Sequence, residues 1–396
     1  MNVLVIYPHG NALNPQAGAE SRIWMVNYAL VKHNFNVSIL HSIRSIGYED
    51  PELKNRCKTY YYKDLNFFGF SDFYLSDLNP FFILSLFKLI RKQKFDVIQI
   101  EFPWGFLITK FLKKKKTLLI YDSHGVESEF LKIATKNPKF PKIFKPFAEI
   151  FGKLYEKIVC KLSDVIVSLS NIDRSHYIKK YKIERNKTIL IQTPSTLNRQ
   201  IELRTDALKI EKRKELGLPL DKTIVIFHGG LPHPPNQEAF DVIENFISPN
   251  INNSEIIFVL AGYNLKKFIK KNIISLGFVD SLRDFLYSAD FAIVPIISGT
   301  GMRTKCFDYV ITALPFIITK KGIEGIEFLK AGDDYLVYNS VNDDFLNGIV
   351  LLHKNKDLRQ KLHQNLLKKS NIFNRKTFEN KFFKLYSRLT NQPSKN

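Results

Sequence analysis

The chain has 396 residues, 45% of them apolar, and its 59 Lys and Arg against 38 Asp and Glu give a net charge of +21. This length exceeds one ordinary hydrophobic core, so two domains are expected, and the apolar content excludes a disordered chain. The charge favours an acidic partner, for which nucleic acid, an anionic membrane surface and a phosphorylated small molecule all qualify. Abundant Lys, Ile and Asn can also reflect genomic composition, so charge alone does not choose among them.

Cysteine usage and hydropathy bear on the compartment. Cys57, Cys160 and Cys306 have neither metal-ligand spacing nor the pattern of a disulfide framework, which is typical of a reducing compartment. The apolar start at 1–7 has the length of one strand and lacks the features of a signal peptide. The apolar stretch Pro80 to Ile90 is too short to span a bilayer. We therefore expect a cytoplasmic protein, with a peripheral position on the cytoplasmic membrane face as an option.

Short apolar runs alternate with helical patterns along the first half. The runs predict strands at Val3–Tyr7, Val37–Leu40, Val97–Ile100, Thr117–Tyr121, Val165–Leu169 and Ile189–Gln192. Near-continuous apolar strands separated by helices indicate a parallel sheet covered on both faces.

The polar stretch 198–215 is the predicted linker, and the same rhythm restarts after it. Strands are predicted at Thr223–Phe227, Ile256–Ala261, Asn272–Leu276, Phe291–Pro295, Phe316–Thr319 and Tyr335–Tyr338, with helices at Gln237–Ile247 and Ser281–Ser288. Near the end, apolar residues at helical spacing predict a docked amphipathic helix: Phe378, Phe382, Leu385 and Leu389. The fold class is thus α/β with two Rossmann-like doubly wound domains, whose cleft is the default ligand site.

One loop of the second half carries the strongest chemical signal. Gly299 and Gly301 allow the backbone to approach a ligand, and a helix is predicted to begin near Met302 with a buried stripe at Phe307, Val310, Ile311 and Leu314. Arg303 and Lys305 would supply charge-assisted hydrogen bonds to an anion, beside the helix N-terminus. Asp308, one turn beyond Lys305, can accept from both hydroxyls of a ribose. The alternative is an ordinary strand–loop–helix whose charged side chains are merely solvated.

This combination resembles the donor-site signature of family-4-type glycosyltransferases with the GT-B fold. The pattern G-x-G-x-R-x-K-x-x-D is followed by Ala313-Leu314-Pro315 and by the T-x-x-G-x-x-G turn at 319–325. Gly277-Phe278-Val279 is similar to a turn that contacts the nucleotide base, Ala289-Asp290 precedes the strand as in the family, and 227–230 with Pro235-Asn236 resembles its glycine-rich loop. The resemblance implies these donor-binding residues: Gly18, Gly229, Gly230, Phe278, Val279, Gly299, Thr300, Gly301, Met302 and Asp308.

The first half also resembles this family. Segment 16–20 is similar to a glycine loop near the donor phosphates, and 122–128 (D-S-H-G-V-E-S) is similar to a segment that places a histidine beside the transferred sugar. The resemblance implies His124, Arg303 and Lys305 as catalytic groups, and Glu101 and Glu127 on the acceptor side. We assign Ser170, before a helix, to capping rather than catalysis.

The resemblance spans almost the whole chain and implies its organisation. It gives an acceptor domain at 1–198, a nucleotide-sugar domain at 199–370 facing it across a cleft, and a C-terminal helix at 371–396 that returns to the first domain. Two departures prevent naming the sugar. Thr300 stands where the family commonly has a Glu, and Thr193-Pro194-Ser195 replaces a P-N-G hinge.

The expected reaction is direct transfer from a UDP- or GDP-linked sugar to a glycan or lipid-linked acceptor. Negative charge develops on the leaving phosphate, so preorganised cations meet the catalytic need without a metal or other cofactor. The chain has no D-x-D triplet. Retention of anomeric configuration is implied by the resemblance alone.

Bulky apolar and basic residues mix in segments 67–92, 113–116 and 140–161, which favours an anionic membrane surface as a partner. Core helices with solvated charged faces are the alternative. Three rival functions remain: a nucleotide-sugar epimerase of the same fold, a nucleic-acid-binding protein attracted by charge, and a non-catalytic family member. No recognised nucleic-acid module is evident, so no nucleic-acid partner is expected.

Overall fold

The computed structural model describes residues 1–8, 10–14, 18–43, 48–67, 70–135, 145–195, 197, 204–231, 233–299, 302–370 and 374–390. Contacts divide the chain into two units, the first Met1–Thr193 with Lys376–Asn396 and the second Pro194–Arg375. The assignment of acceptor and nucleotide-sugar domains to 1–198 and 199–370 stays a prediction.

The first unit is built on a parallel sheet of seven strands in the order β3-β2-β1-β6-β7-β8-β9, beside a small antiparallel pair, β4-β5. The strands are β1 Asn2–Tyr7, β2 Asn36–Ser42, β3 Lys58–Tyr62, β4 Asn66–Phe67, β5 Phe70–Ser71, β6 Val97–Glu101, β7 Leu118–Asp122, β8 Val165–Ser168 and β9 Thr188–Leu190. The helices are α1 Gly18–Lys32, α2 Pro51–Arg56, α3 Pro80–Lys92, α4 Phe106–Leu112, α5 Glu127–Ala134, α6 Lys145–Leu162 and α7 Asn171–Lys180, with 3₁₀ turns at Asp72–Leu78 and Arg185–Lys187.

The second unit repeats this plan. Its sheet has the order β12-β13-β11-β10-β14-β15-β16, and it is parallel except for the antiparallel edge strand β12. The strands are β10 Thr223–His228, β11 Ile256–Ala261, β12 Phe268–Lys270, β13 Ile273–Gly277, β14 Phe291–Val294, β15 Phe316–Thr319 and β16 Leu336–Tyr338. The helices are α8 Asp206–Glu215, α9 Pro234–Val242, α10 Ser248–Asn250, α11 Leu282–Ser288, α12 Lys305–Ile311, α13 Asp343–Lys354 and α14 Lys356–Ser370. A π-helical segment at Ile243–Ile247 joins α9 to α10.

The last helix, α15 (Arg375–Thr390), belongs to the first unit. Its four predicted apolar residues, Phe378, Phe382, Leu385 and Leu389, are buried in the core beside β1 and α1. The predicted return of the C-terminal helix to the first domain and the two doubly wound sheets are therefore confirmed.

The predicted linker was wrong in its second part. Residues 206–215 form α8, which begins at a Thr205 cap that accepts from the Leu208 N–H. Arg213 is buried, and its guanidinium donates to the Ser288 carbonyl and ion-pairs with Asp290 at 2.6 Å. A polar composition indicated a linker, but Ala, Leu, Lys and Glu are also strong helix formers. Residues 198–203 lie outside the described residues.

Both sheets reverse their strand order next to their first strand. In the first unit β1 lies between β2 and β6, and in the second β10 lies between β11 and β14. Ligands of doubly wound sheets bind beyond the carboxyl ends of the strands at this point. Each unit therefore offers one such position, at the ends of β1 and β6 and at the ends of β10 and β14.

Candidate functional site

The predicted donor residues of the second unit lie at the carboxyl ends of β10 and β14. Gly229 and Gly230 follow β10 directly, and Gly299 follows β14 after a short loop. Phe278 and Val279 follow β13, where the Phe278 side chain is exposed. Thr300 and Gly301 lie outside the described residues, so their predicted contacts stay predictions.

The three charged residues of the signature are buried. Arg303, Lys305 and Asp308 are each only 7% exposed, and Met302 beside them is buried as well. This burial is inconsistent with the alternative in which they are solvated surface groups. Burying charged groups is expensive unless they are paired, so their partners decide what they can do.

Lys305 is held by an amide and an aromatic ring. Its Nζ donates to Asn236 Oδ1 at 2.8 Å and lies 3.9 Å from the centre of the Phe227 ring. Burial lowers the pKa of this lysine to about 7. An anion bound beside Nζ would favour the charged form of this lysine.

Asp308 accepts from Ser195, whose hydroxyl lies 2.6 Å from Oδ1, while Oδ2 lies 3.8 Å from His228 Nε2. Burial raises the pKa of Asp308 to about 7 and lowers that of His228 to about 3, so the imidazole is neutral. Within the described residues His228 Nε2 is buried and makes no hydrogen bond. The Ser195 contact engages one of the two oxygens predicted to accept from a ribose.

Arg303 folds back on the loop that precedes it. Its guanidinium donates to the Ser298 carbonyl at 3.0 Å, and burial lowers its pKa. Gly299, at φ +95°, lies against this group, since a Cβ there would come within 2.7 Å of Pro235 and 3.1 Å of the guanidinium. Only glycine fits this position without strain.

The helix after this loop begins later than predicted. It starts at Lys305, with Thr304 as its first flanking residue, so Arg303 precedes the helix instead of lying on its first turn. Every residue of α12 is buried, and so is Leu314, the last residue of the predicted stripe, which follows the end of the helix at Ile311. The apolar spacing predicted the burial of these residues correctly, but it could not distinguish the loop residues 302–304 from the first turn.

The loop after β10 lies in close contact with the loop after β11, and glycines make this contact possible. The Gly229 N–H donates to the Ala261 carbonyl, and a Cβ on Gly262 would lie 1.9 Å from the Gly229 carbonyl oxygen. The Asn236 side chain, which holds Lys305, also donates to the Gly230 carbonyl at 2.9 Å. The glycine loop and the lysine are therefore parts of one arrangement.

In the first unit, His124 lies directly after β7 and pairs with Glu101 at the end of β6. Their Nε2 and Oε2 atoms are 2.8 Å apart, and Phe102 stacks on the imidazole at 4.2 Å. Burial lowers the pKa of His124 to about 3 and raises that of Glu101 to about 7. The imidazole is therefore neutral at pH 7, which suits it to hydrogen bonding better than to carrying a charge.

A buried ion pair lies next to His124 and Glu101 and is linked to Glu101 through Gln99. Arg22 of α1 contacts Asp122 at 2.8 Å and donates to the Ile191 carbonyl and the Thr193 hydroxyl. Gln99 donates to both Glu101 and Asp122, and the Tyr386 hydroxyl of α15 donates to Gln99 at 2.6 Å. The network joins α15 to β6 and β7 and fixes the two carboxylates. Gly18, predicted to bind the donor, begins the helix that carries Arg22.

Glu101, Asp122 and His124 offer ligand atoms within 4.8 Å of one another, a spacing that could hold a metal ion. Their atoms are already engaged, however, since Asp122 pairs with Arg22 and Glu101 pairs with His124. Mutual pairing explains the cluster without a cation, and the predicted metal independence stays a prediction.

Glu127, predicted on the acceptor side, lies in a separate buried network. It accepts from the Trp104 Nε1–H at 3.2 Å, and its backbone N–H donates to Glu156 of α6. Glu156 also accepts from Tyr121, Tyr177 and Tyr181. Burial raises the pKa of Glu127 to about 8 and that of Glu156 to about 7. This network anchors the segment that follows His124.

Sequence reasoning missed the roles of Arg22, Asn236 and His228. A lone arginine within the apolar start of α1 was an available signal, because a buried charge needs a partner. The predicted capping role of Ser170 is confirmed, since its hydroxyl accepts from the Asp173 N–H at 3.0 Å.

Two family models match the chain, one in each half. The model described as Glycosyltransferase Family 4 matches residues 17–199, and the model described as Glycosyl transferases group 1 matches residues 222–355. No curated protein matches the chain.

Solved structures resemble the whole chain. Sucrose-phosphate synthase from Thermosynechococcus elongatus has a TM-score of 0.77 at 14% identity, covering 98% of this chain and 99% of that one. Alr3699/HepE of Anabaena in complex with UDP-glucose has a TM-score of 0.70 at 12% identity, covering 98% and 100%. A glycosyltransferase from Rickettsia africae has a TM-score of 0.68 at 17% identity, covering 99% of each chain. At such low identities, the TM-scores show that the chain shares the fold of these proteins and nothing more.

Proposed function

The chain belongs to the glycosyl transferases group 1, with a family 4 first half, and we propose that it moves a sugar from a UDP- or GDP-linked donor to a glycan or lipid-linked acceptor. The observation that carries the donor side is the buried cationic pair Arg303 and Lys305, adjacent to the glycine loop at the end of β10. The complex of the Anabaena structure with UDP-glucose favours UDP among the donors.

In the proposed mechanism, Arg303 and Lys305 bind the diphosphate of the donor. The bond from the anomeric carbon to the β-phosphate oxygen breaks while the acceptor oxygen bonds to that carbon, and the proton of the acceptor hydroxyl passes to the departing phosphate oxygen. Negative charge then accumulates on the leaving phosphate, where a preorganised cation in a buried site stabilises it most strongly. Retention of configuration and independence from metal and cofactor are part of the proposal.

His124 is proposed to hold a hydroxyl of the transferred sugar rather than to act as a charged acid. Its neutral imidazole is oriented by Glu101 on one side and by the stacked Phe102 ring on the other. Asp308, supported by Ser195, is proposed to accept from the ribose. Glu101 acts through His124, and Glu127 acts by anchoring the segment after it.

A panel of UDP- and GDP-linked sugars tests the donor. We expect one nucleotide sugar to raise the unfolding temperature of the protein and, in the presence of a membrane-glycan extract, to lose its sugar to the extract. Excess EDTA should leave the reaction unchanged. Release of an epimerised donor without an acceptor would support the epimerase instead, which the matched families do not favour.

A substitution in the site complements the panel. Arg303→Ala should lower kcat/KM for the donor tenfold or more, because a charge-assisted hydrogen bond contributes about 1.5–3 kcal/mol. Full activity in both Arg303→Ala and Lys305→Ala would contradict the phosphate assignment.

A further inference from the structure

Helix α6 is apolar on two faces. Its inner face is buried, with Tyr155, Val159 and Cys160 in the core of the first unit. Its outer face carries a second apolar set whose members are 45–68% exposed: Phe147, Ile150, Phe151, Leu154 and Ile158. A surface helix normally needs one apolar stripe, so this mostly exposed outer set exceeds what the packing of α6 requires, although Phe151 stacks on Trp104 at 6.3 Å.

The outer residues form one continuous stripe. Their spacing of 3, 4, 7 and 11 residues from Phe147 places them on neighbouring turns of the same side of a helix. Scattered exposed apolar residues are normal on soluble proteins, but a contiguous apolar stripe marks an interaction surface.

Basic residues border one edge of this stripe. Lys153, Lys157 and Lys161 follow one another at intervals of four residues along one edge. At the far end of the helix, Lys110 of α4 donates to the Leu162 carbonyl, and the basic segment 113–116 follows α4. Phe111, also on α4, is 83% exposed.

We propose that the outer face of α6 docks on an anionic lipid bilayer, with its apolar stripe inserted at the headgroup boundary and its lysines against acidic headgroups. The pattern of a wide apolar stripe bordered by lysines is that of helices lying in the membrane interface. Among the described residues, none of the helices is long and apolar enough to cross a membrane.

Charge argues for lipid over a second copy of the chain. In a two-fold dimer through this face, the lysines of each copy would lie near the same stripe on the other copy. That stripe carries few acidic side chains with which the lysines could pair. On α6 the exposed acidic side chain is Glu149, which lies 3.9 Å from Lys132. This inference does not depend on whether the protein transfers a sugar.

Co-sedimentation with vesicles tests this surface. The full chain should sediment with vesicles of phosphatidylcholine and phosphatidylglycerol and much less with phosphatidylcholine alone. The triple variant Phe147→Gln, Ile150→Gln, Leu154→Gln should lower partitioning at least tenfold. Changing Lys153, Lys157 and Lys161 to Gln should lower it on the order of 100-fold, since each basic residue near an anionic leaflet strengthens binding about fivefold.

A matched control removes exposed apolar residues from the second unit. Tyr263→Gln, Ile269→Gln and Leu351→Gln, all at exposed positions, should leave partitioning unchanged. Thermal stabilisation by the nucleotide sugar should be the same in all variants, which separates this surface from the donor site. Absence of vesicle binding by the natural sequence, equal loss in the control, or a dimer in sedimentation velocity that the α6 variant dissociates would overturn the proposal.

Discussion

Replacing Lys305 by Met should weaken the use of the donor, because it removes a buried ammonium whose contacts are known. The change removes the ammonium that donates to Asn236 Oδ1 and lies over the Phe227 ring, while keeping an unbranched side chain of similar length. A lost charge-assisted hydrogen bond of about 1.5–3 kcal/mol corresponds to a roughly 10- to 150-fold lower kcat/KM for the donor.

The pH dependence makes this prediction specific. Burial lowers the pKa of Lys305 to about 7, so the free enzyme loses this charge as pH rises above 7. We expect kcat/KM for the donor to fall up to tenfold per pH unit above pH 7. Lys305→Arg should remove that decline because a guanidinium stays protonated. The pKa of Asp308 is also about 7, but a decline caused by the titration of Asp308 would persist in Lys305→Arg.

The same lysine affects stability. Its folded pKa of about 7 lies below the ordinary value of 10.5, so between those pH values the unfolded chain binds a proton that the folded chain lacks. The free energy of unfolding should therefore rise with pH across this window. The difference corresponds to at most about 5 kcal/mol, and Lys305→Met should flatten the rise.

The assay is initial-rate kinetics with the nucleotide sugar from pH 6 to 9, together with urea unfolding of the donor-free protein. Lys368→Met is the control, because this lysine is exposed on α14 of the same unit. An unchanged kcat/KM in Lys305→Met, or the same decline above pH 7 in Lys305→Arg, would show that Lys305 is not the titrating cation that binds the donor.

Three further changes test the supporting structure. Gly299→Ala should destabilise the protein in urea unfolding by more than Gly332→Ala, because both have positive φ but only Gly299 has side chains within 4 Å of a new Cβ. Arg22→Met should lower the free energy of unfolding by about 3–5 kcal/mol, since it leaves a buried carboxylate unpaired; a loss below 1 kcal/mol would contradict the pairing. Burial raises the pKa of Glu127 to about 8, so the folded chain holds a proton that the unfolded chain loses above about pH 4. Stability should fall as pH rises from about 5 to 8, and Glu127→Gln should reduce that slope.

The interior of both sheets could be predicted from sequence because its strands are continuous apolar runs. Strands β3 and β12 were missed since edge strands have exposed faces, and Lys58–Tyr62 and Phe268–Lys270 carry lysines and partly exposed aromatic or apolar residues. Helix α8 was missed because its charged residues are typical of both linkers and solvated helices.

The site was predictable where its residues are close in sequence. Gly299, Arg303, Lys305 and Asp308 fall within ten residues, so their pattern is visible in the chain. Their partners are not, since Lys305 is held by Asn236, which precedes it by 69 positions. Arg22 and Asp122 are 100 positions apart, and no local pattern pairs them.

Titration calorimetry with UDP and GDP measures whether the loop before α12 binds the donor diphosphate. We expect one of the two nucleotides to bind the natural protein at one site per chain in the presence of EDTA. A double variant with Arg303→Ala and Lys305→Met should bind this nucleotide at least 100-fold more weakly. Equal affinity of the double variant, or no binding of either nucleotide to the natural protein, would contradict the claim that this loop holds the donor diphosphate.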